Sequence, residues 1–431
     1  MQTKKFYNLA KKKLFKICRS ITGEGVRKTL KIYKSYFPSL KIKSIPSNST
    51  VFDWKIPPEW NITDAYILDK YKKKIVDFQN SNLHLVGYSV PINKRLNRRE
   101  LFKHLHSLPK QPNAIPYVTS YYKKNWGFCV THNEKKKFEK KYKATDNFIV
   151  VIKSSFKKKG ILNYGELLIK GKTKKEILIS TYICHPSMAN NELSGSIVSL
   201  SLIDFFKKKK LDKSLRFIFI PETIGAIAYI NKNLNYLKKN YLGGYNLSCI
   251  GDERKHSCVF SKYGNSLTDK YLSEAYKKLK IKFKSYSFLK RGSDERQFNS
   301  PGINLPMATI CRSKFTEFPE YHTSLDNFKL VTEKGTNGGF KVAKEAINIF
   351  QKSIIPKTTT ICEPKLSKRG LHKNISIKTN YKYKNITKNL LSFIQYADGT
   401  NDLEQISKYL KLEKKQAYKL FLILKKNKLV E

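Results

Sequence analysis

Residues 177–195 read ILISTYICHPSMANNELSG. An apolar, β-branched run ends in His185, and a short loop of amides, a carboxylate and small residues leads into SGSIVSLSLIDFF. The first run has the composition of a buried strand and the last that of a buried helix, so the stretch reads as strand, polar loop, helix. In an open α/β sheet, ligands and catalytic groups gather just beyond the carboxyl ends of the strands. His185 therefore falls where chemistry is expected, although one histidine after a strand carries little weight until other strand ends agree.

The rest of the chain repeats the pattern. RFIFI is followed by PETIGAIAYINK, GGYNLSCIGD by an irregular stretch and TDKYLSEAYKKLK, and INLPMATIC by the loop RSKFTEFPEYHTSLDN and a helix from about Thr336 to Ser353. This alternation predicts an α/β sandwich with a mixed sheet over residues 116–355. Residues 1–45 supply its helical start, with a break at ITGEG where Gly23 and Gly25 stand. Residues 46–115, with their prolines, two tryptophans and short alternating runs, predict a small β-rich insert that closes with the helical LNRRELFKHLHSL. A polar linker is expected over 356–380. Residues 381–431 then predict three short helices and a truncated strand, KNKLVE, a helix-turn-helix unit of winged type.

Composition narrows the class. Of 431 residues, 40% are hydrophobic and 13% aromatic, which is globular, and no apolar run is long enough to span a bilayer. The net charge of +52 raises nucleic acid as a partner. The lysines, however, are spread as KK and KKK along nearly every segment, which reads as a solvated surface that attracts polyanions only nonspecifically. The third C-terminal helix offers no Arg or Asn/Gln cluster beyond Gln416 to read bases, so a packing or dimerisation role is preferred to specific nucleic-acid binding. Homo-oligomer formation is left open. Seven scattered cysteines without a CxxC pair, in a chain whose start reads as a helix rather than a secretory leader, lead to the expectation of reduced thiols in a cytoplasm.

Four strand ends deliver chemistry-bearing residues: His185, Glu222, Asp252, and His322 in EYHTSLDN. Two imidazoles and a carboxylate make a zinc donor set with a position open for water, and Glu222, as a carboxylate outside that set, would take the proton from the bound water. Each residue also has a plain alternative: Asp252 in a turn, Glu222 at a helix cap, His322 on a surface loop.

The motifs HPSMANNELSG, PETIGAIAYI, CIGD, RGSDERQF with GINLP, and EYHTSLDN occur in the order seen in the co-catalytic zinc aminopeptidases, the superfamily of glutamate carboxypeptidase II. Over nearly its full length the chain more closely resembles a bacterial family of aminopeptidase-like proteins of unknown function, with an inserted β domain and a C-terminal winged helix. The resemblance implies a metal-dependent hydrolase of peptide or other amide bonds, with His185, Asp252 and His322 as metal ligands and Glu222 as general base. It also implies two departures. Asn191 stands where those peptidases place a metal-bridging aspartate, and Thr223 where a second-metal carboxylate follows the base. A neutral amide bridges two cations poorly, so one zinc is expected rather than two. Asn191, Arg291, Asp294, Glu295 and Arg312 are candidates for substrate binding, while Glu192 is read as a cap of the following helix and Arg19 is left without an assigned contact. Further alternatives are a zinc amide hydrolase acting on a modified sugar in surface-polysaccharide biosynthesis, and a non-catalytic scaffold whose winged helix binds DNA or protein.

Overall fold

The structure is a computed structural model that describes residues 1–371 and 381–431. Its centre is an eight-stranded mixed sheet. The strands are β1 Lys41–Pro46, β2 Ile161–Ile169, β3 Thr173–Tyr182, β4 Lys213–Ile220, β5 Tyr241–Leu247, β6 Ser257–Val259, β7 Lys284–Tyr286 and β8 Met307–Cys311. They lie in the order β1-β2-β4-β3-β5-β8-β6-β7. The inner strands β4, β3, β5 and β8 run parallel to one another. Parallel strands are covered on both faces and so read as continuous apolar runs. Every residue of β4 and every residue of β3 from Glu176 onward is buried.

One face is covered by the N-terminal helices and by helices Ser194–Phe206, Leu267–Lys278 and Glu333–Lys352, whose apolar residues share one core with Ile177, Ile179, Phe217 and Phe219 of the sheet. The opposite face carries helix Ile224–Asn240 and a four-stranded antiparallel sheet, packed on Leu178, Tyr182, Ile218 and Ile220. That smaller sheet takes strands Glu59–Leu68, Lys74–Asp77 and Ile92–Asn97 from the 46–115 stretch, but its longest strand is Asn147–Lys157. The β-rich unit thus reaches past the expected boundary, because the edges of Glu59–Leu68 and Ile92–Asn97 both pair with a strand that follows the connector.

Two glycines have reasons visible in the packing. Gly23, at φ +96° ahead of helix Glu24–Tyr36, lies so close to Trp60 that a Cβ would sit 2.1 Å from its carbonyl oxygen. Gly195, at the start of the central helix, would place a Cβ 2.3 Å from both Leu247 O and Thr181 Oγ1. The helix therefore lies directly against the ends of β3 and β5, which brings its preceding loop to the same edge.

Helix Glu333–Lys352 begins three residues before the sequence expectation because Thr332 caps it, its side chain accepting from Gly335 N–H. In the C-terminal unit, helices Tyr381–Tyr396, Leu403–Tyr409 and Lys414–Lys426 enclose a core of their own that includes Phe393, Ile406, Leu420 and Leu424. Part of the expected linker belongs to this unit: Leu366 packs into the same core, and Lys357 pairs through its backbone with Glu431. Residues 372–380 of that linker lie outside the described residues. No helix among the described residues is long and apolar enough to cross a membrane.

Candidate active site

Parallel neighbours in register end at one edge. Tyr182 of β3 pairs with Ile220 of β4, and Leu247 of β5 with Ile310 of β8. The loops that follow therefore deliver His185, Glu222, Ser248 and Ser313 to one side of the sheet, as the sequence pattern requires.

His185 is held by a carboxylate of its own loop and by an arginine far from it in sequence. Its backbone N–H donates to the Glu192 carboxylate, and its carbonyl accepts from Arg19 Nε at 3.1 Å. Arg19 also donates to Glu192, and the pair has no solvent exposure on either side chain. Arg19 Nη1 further donates to Leu14 O at 2.6 Å. The ring Nδ1 lies 3.5 Å from Glu192 Oε2 and 3.4 Å from Cys184 Sγ, which leaves Nε2 facing Glu222 Oε2 at 3.8 Å. His322 faces His185 with ring centroids 5.5 Å apart, and Tyr117 stands against both at 5.2 Å. Tyr117 is carried there by an antiparallel clip in which its N–H donates to His322 O at 2.9 Å and Ser324 N–H to Ile115 O at 2.9 Å.

Glu222 follows Pro221 at a sharp strand-to-helix turn. The next residue, Thr223, takes φ 64°, a left-handed conformation that costs a β-branched residue roughly 1–3 kcal/mol and is kept where surroundings over-determine it. Those surroundings are visible: Thr223 N–H donates to Asp294 Oδ1 at 2.7 Å, and Arg296 Nη2 donates to Thr223 Oγ1 at 2.5 Å. The Glu222 side chain is 22% exposed, next to the buried His185 and Asp294. Burial pushes its carboxyl above the usual range, against the lowering influence of His185. Asp294 is pushed up further, by burial and by the Glu222 charge. Burial and His185 hold the His322 imidazole down to about 3.

Of the residues expected to bind substrate, the structure brings Asn191 and Asp294 to this cluster. Asn191, 1% exposed, accepts from Tyr182 OH at 2.6 Å; that phenol also contacts Ser248 Oγ at 2.7 Å and places its ring 5.2 Å from His185. The other three are engaged elsewhere. Glu295 holds its own turn, accepting from Gly292 N–H and Ser293 N–H, and also accepts from Thr309 Oγ1. Arg291 is exposed and lies over Phe288 at 4.9 Å. Arg312 Nη1 contacts His256 Nε2 at 2.5 Å. Glu192, read from sequence as a helix cap, instead clamps His185. Arg296, Tyr182 and Ser248 lie inside stretches quoted above and Tyr117 outside them, but the sequence assigns none of them a role, since their roles depend on which loops meet.

Zinc holds imidazole nitrogen and carboxylate oxygen at about 2.0–2.2 Å, which draws the donor atoms of one site to within about 4 Å of each other. The expected set does not fit that demand. Asp252 lies beyond the end of β5, fully buried, and both of its oxygens are taken: it accepts from Asn190 Nδ2 (3.1 Å), Ser313 N–H (2.9 Å), Ser313 Oγ (2.8 Å) and Arg254 N–H (2.9 Å). Among the described residues the three His, Cys, Asp or Glu donors gathered within 4.8 Å of one another are Cys184, His185 and Glu192, and that Glu192 is committed to Arg19 and the His185 N–H. His185 and His322 share the site with Glu222, but Asp252 serves the loop around Ser313.

A family description for a domain of unknown function, DUF4910, matches residues 7–353, and one for a winged helix-turn-helix matches residues 354–431. A Clostridium acetobutylicum protein named for polysaccharide biosynthesis and an aminopeptidase-like domain is 40% identical over 406 residues, 93% of this chain and 90% of that one. A solved structure from Clostridium acetobutylicum, described as a peptidase, is similar at 36% identity with a TM-score of 0.79, covering 100% of this chain and 96% of its own. A zinc aminopeptidase from Bacillus subtilis shares the fold at 14% identity and a TM-score of 0.59, over 81% of this chain and 94% of that one. The sheet order, the loops at its carboxyl edge and these matches agree, and the chain belongs to the DUF4910 family of unknown function, a peptidase-like hydrolase scaffold followed by a winged helix-turn-helix.

Proposed function

We propose that this chain is an amide hydrolase in which Glu222 is the proton carrier. The observation that supports it is the setting of that carboxylate: partly exposed, 3.8 Å from His185 Nε2, and raised in pKa by burial. A carboxylate so placed can take a proton from an attacking water and return it to the leaving nitrogen. Arg296, anchored on Thr223 and close enough to act on the Glu222 charge, is the fixed cation this cluster offers to a developing oxyanion. Tyr117 and His322 wall the site and restrict water. No step is routed through zinc, because the expected donors do not fit it.

The substrate is a peptide or another amide. The name of the 40% identical relative favours the second, an N-acylated sugar in surface-polysaccharide assembly. Aminoacyl anilides and N-acylated amino sugars assayed side by side separate the two. Wild-type protein is expected to turn over one class, and Glu222→Gln to lose at least about 100-fold while melting unchanged. Absence of turnover on both classes by the wild type would sink the reading.

A second reading, a non-catalytic scaffold whose winged helix binds DNA or protein, is favoured by the neutral side chains at Asn191 and Thr223. Helix Lys414–Lys426 exposes Lys415, Tyr418, Lys419 and Lys425 on one side. A gel shift that survives competitor polyanion would support it, and one abolished by modest salt would reduce it to lysine electrostatics.

A further inference from the structure

We infer that this site takes up no zinc and that Asn191 is the residue that denies it. The inference uses the placement of the cluster around Glu222 and not its turnover. A bound cation needs acceptor atoms pointed at it. Asn191 has one acceptor, and Tyr182 OH donates to it at 2.6 Å; what remains is the Nδ2 amino group, buried and without a hydrogen-bond partner. That group can only donate. Its backbone N–H is spent on Asp326 Oδ2 at 2.9 Å, which fixes the residue in place.

The other positions that could compensate do not. Thr223 Oγ1 receives the Arg296 guanidinium, so a fixed positive charge is anchored where a second carboxylate would serve a metal. Ser248, at the end of β5 and in contact with the same Tyr182 phenol, is a neutral hydroxyl. Asp252 is satisfied by four hydrogen bonds around Ser313. The two imidazoles persist: His185 presents Nε2 toward Glu222, and His322 Nε2 is buried without a partner. The cluster thus offers two imidazoles, while the carboxylate that faces His185, Glu222, is not gathered with both of them within 4.8 Å among the described residues. An aspartate at 191 has the shape of asparagine, can accept from Tyr182 OH with one oxygen, and leaves the other for a metal.

The test is metal content, read separately from turnover. Wild-type protein, Asn191→Asp and Ser248→Asp are dialysed against micromolar zinc, then against metal-free buffer, and analysed by plasma emission. Near-ultraviolet dichroism checks that each variant is folded. Wild type is expected to retain below about 0.1 zinc per chain, and Asn191→Asp about one, lost again when His185→Ala is added. Zinc should raise the melting point of Asn191→Asp and leave that of wild type unmoved. Wild type that retains about one zinc overturns the inference, whatever the fate of the hydrolase reading. A folded Asn191→Asp that stays metal-free overturns the assignment to Asn191, and Ser248→Asp, which adds its carboxylate beside the same Tyr182, then shows whether a carboxylate at this edge brings in zinc at all.

Discussion

The buried pair of Arg19 and Glu192 supports His185 from an element 166 residues away, and Arg19→Met isolates its worth. Methionine keeps much of the volume but removes the donors to Glu192, to His185 O and to Leu14 O. Glu192 then remains charged in a site without solvent exposure. Breaking a buried pair from one side costs about 3–5 kcal/mol, most of it the uncompensated charge. For a domain of this size that is a fall of roughly 4–7 °C in the calorimetric midpoint. Glu192→Gln is the partner variant: it keeps an acceptor for the His185 N–H and removes the charge. Because the main cost of Arg19→Met is the stranded carboxylate, the double variant should lose much less than the two single losses summed. Scanning calorimetry of the four proteins gives the coupling directly. A loss under about 1 kcal/mol for Arg19→Met, as for an exposed pair, or single losses that simply add, would refute the buried clamp.

Two further predictions concern other parts of the molecule. Burial and Arg312 hold the His256 imidazole down to about 4, against about 6.5 unfolded, so its contribution to stability is present above pH 6.5 and lost as pH falls toward 4. His256→Asn should therefore flatten the fall of the unfolding free energy, measured by urea titration, between pH 6.5 and 4 by up to about 3 kcal/mol, and an unchanged slope would contradict the assignment. Asp402 caps helix Leu403–Tyr409 and also accepts from Lys270 Nζ at 2.6 Å and Tyr271 OH at 2.7 Å on the large domain. Asp402→Ala should lose about 1–3 kcal/mol of local stability and expose the C-terminal unit to limited proteolysis, whereas wild-type cleavage rates would speak against that anchoring.

Much of the fold was legible because its signals are local. The runs ILIST, RFIFI and MATIC are mostly apolar because parallel inner strands are buried on both faces, and the helices between them keep their own periodicity. The extent of the small sheet was not, because NFIVVIKSSF reads equally well as a strand of the large sheet or of the small one. Only its pairing with Glu59–Leu68 and Ile92–Asn97 decides. In the site, His185, Glu222 and His322 could be placed at strand-end loops, but Asp252 could not be told from a free ligand, since the donors that consume it come from Asn190 and Ser313.

Local pattern is enough to predict an α/β core with a mixed sheet that carries His185, Glu222 and His322 in loops beyond its strands, with two neutral residues, Asn191 and Thr223, among them. What those residues face depends on contacts between distant loops. Arg19 reaches His185 across 166 positions, Arg296 caps Thr223, Tyr117 arrives from the connector, and Tyr182 takes the acceptor of Asn191. Periodicity encodes which side of an element is buried, but not which loops meet at the edge of the sheet. The charge and hydrogen bonding of the site are set by that meeting.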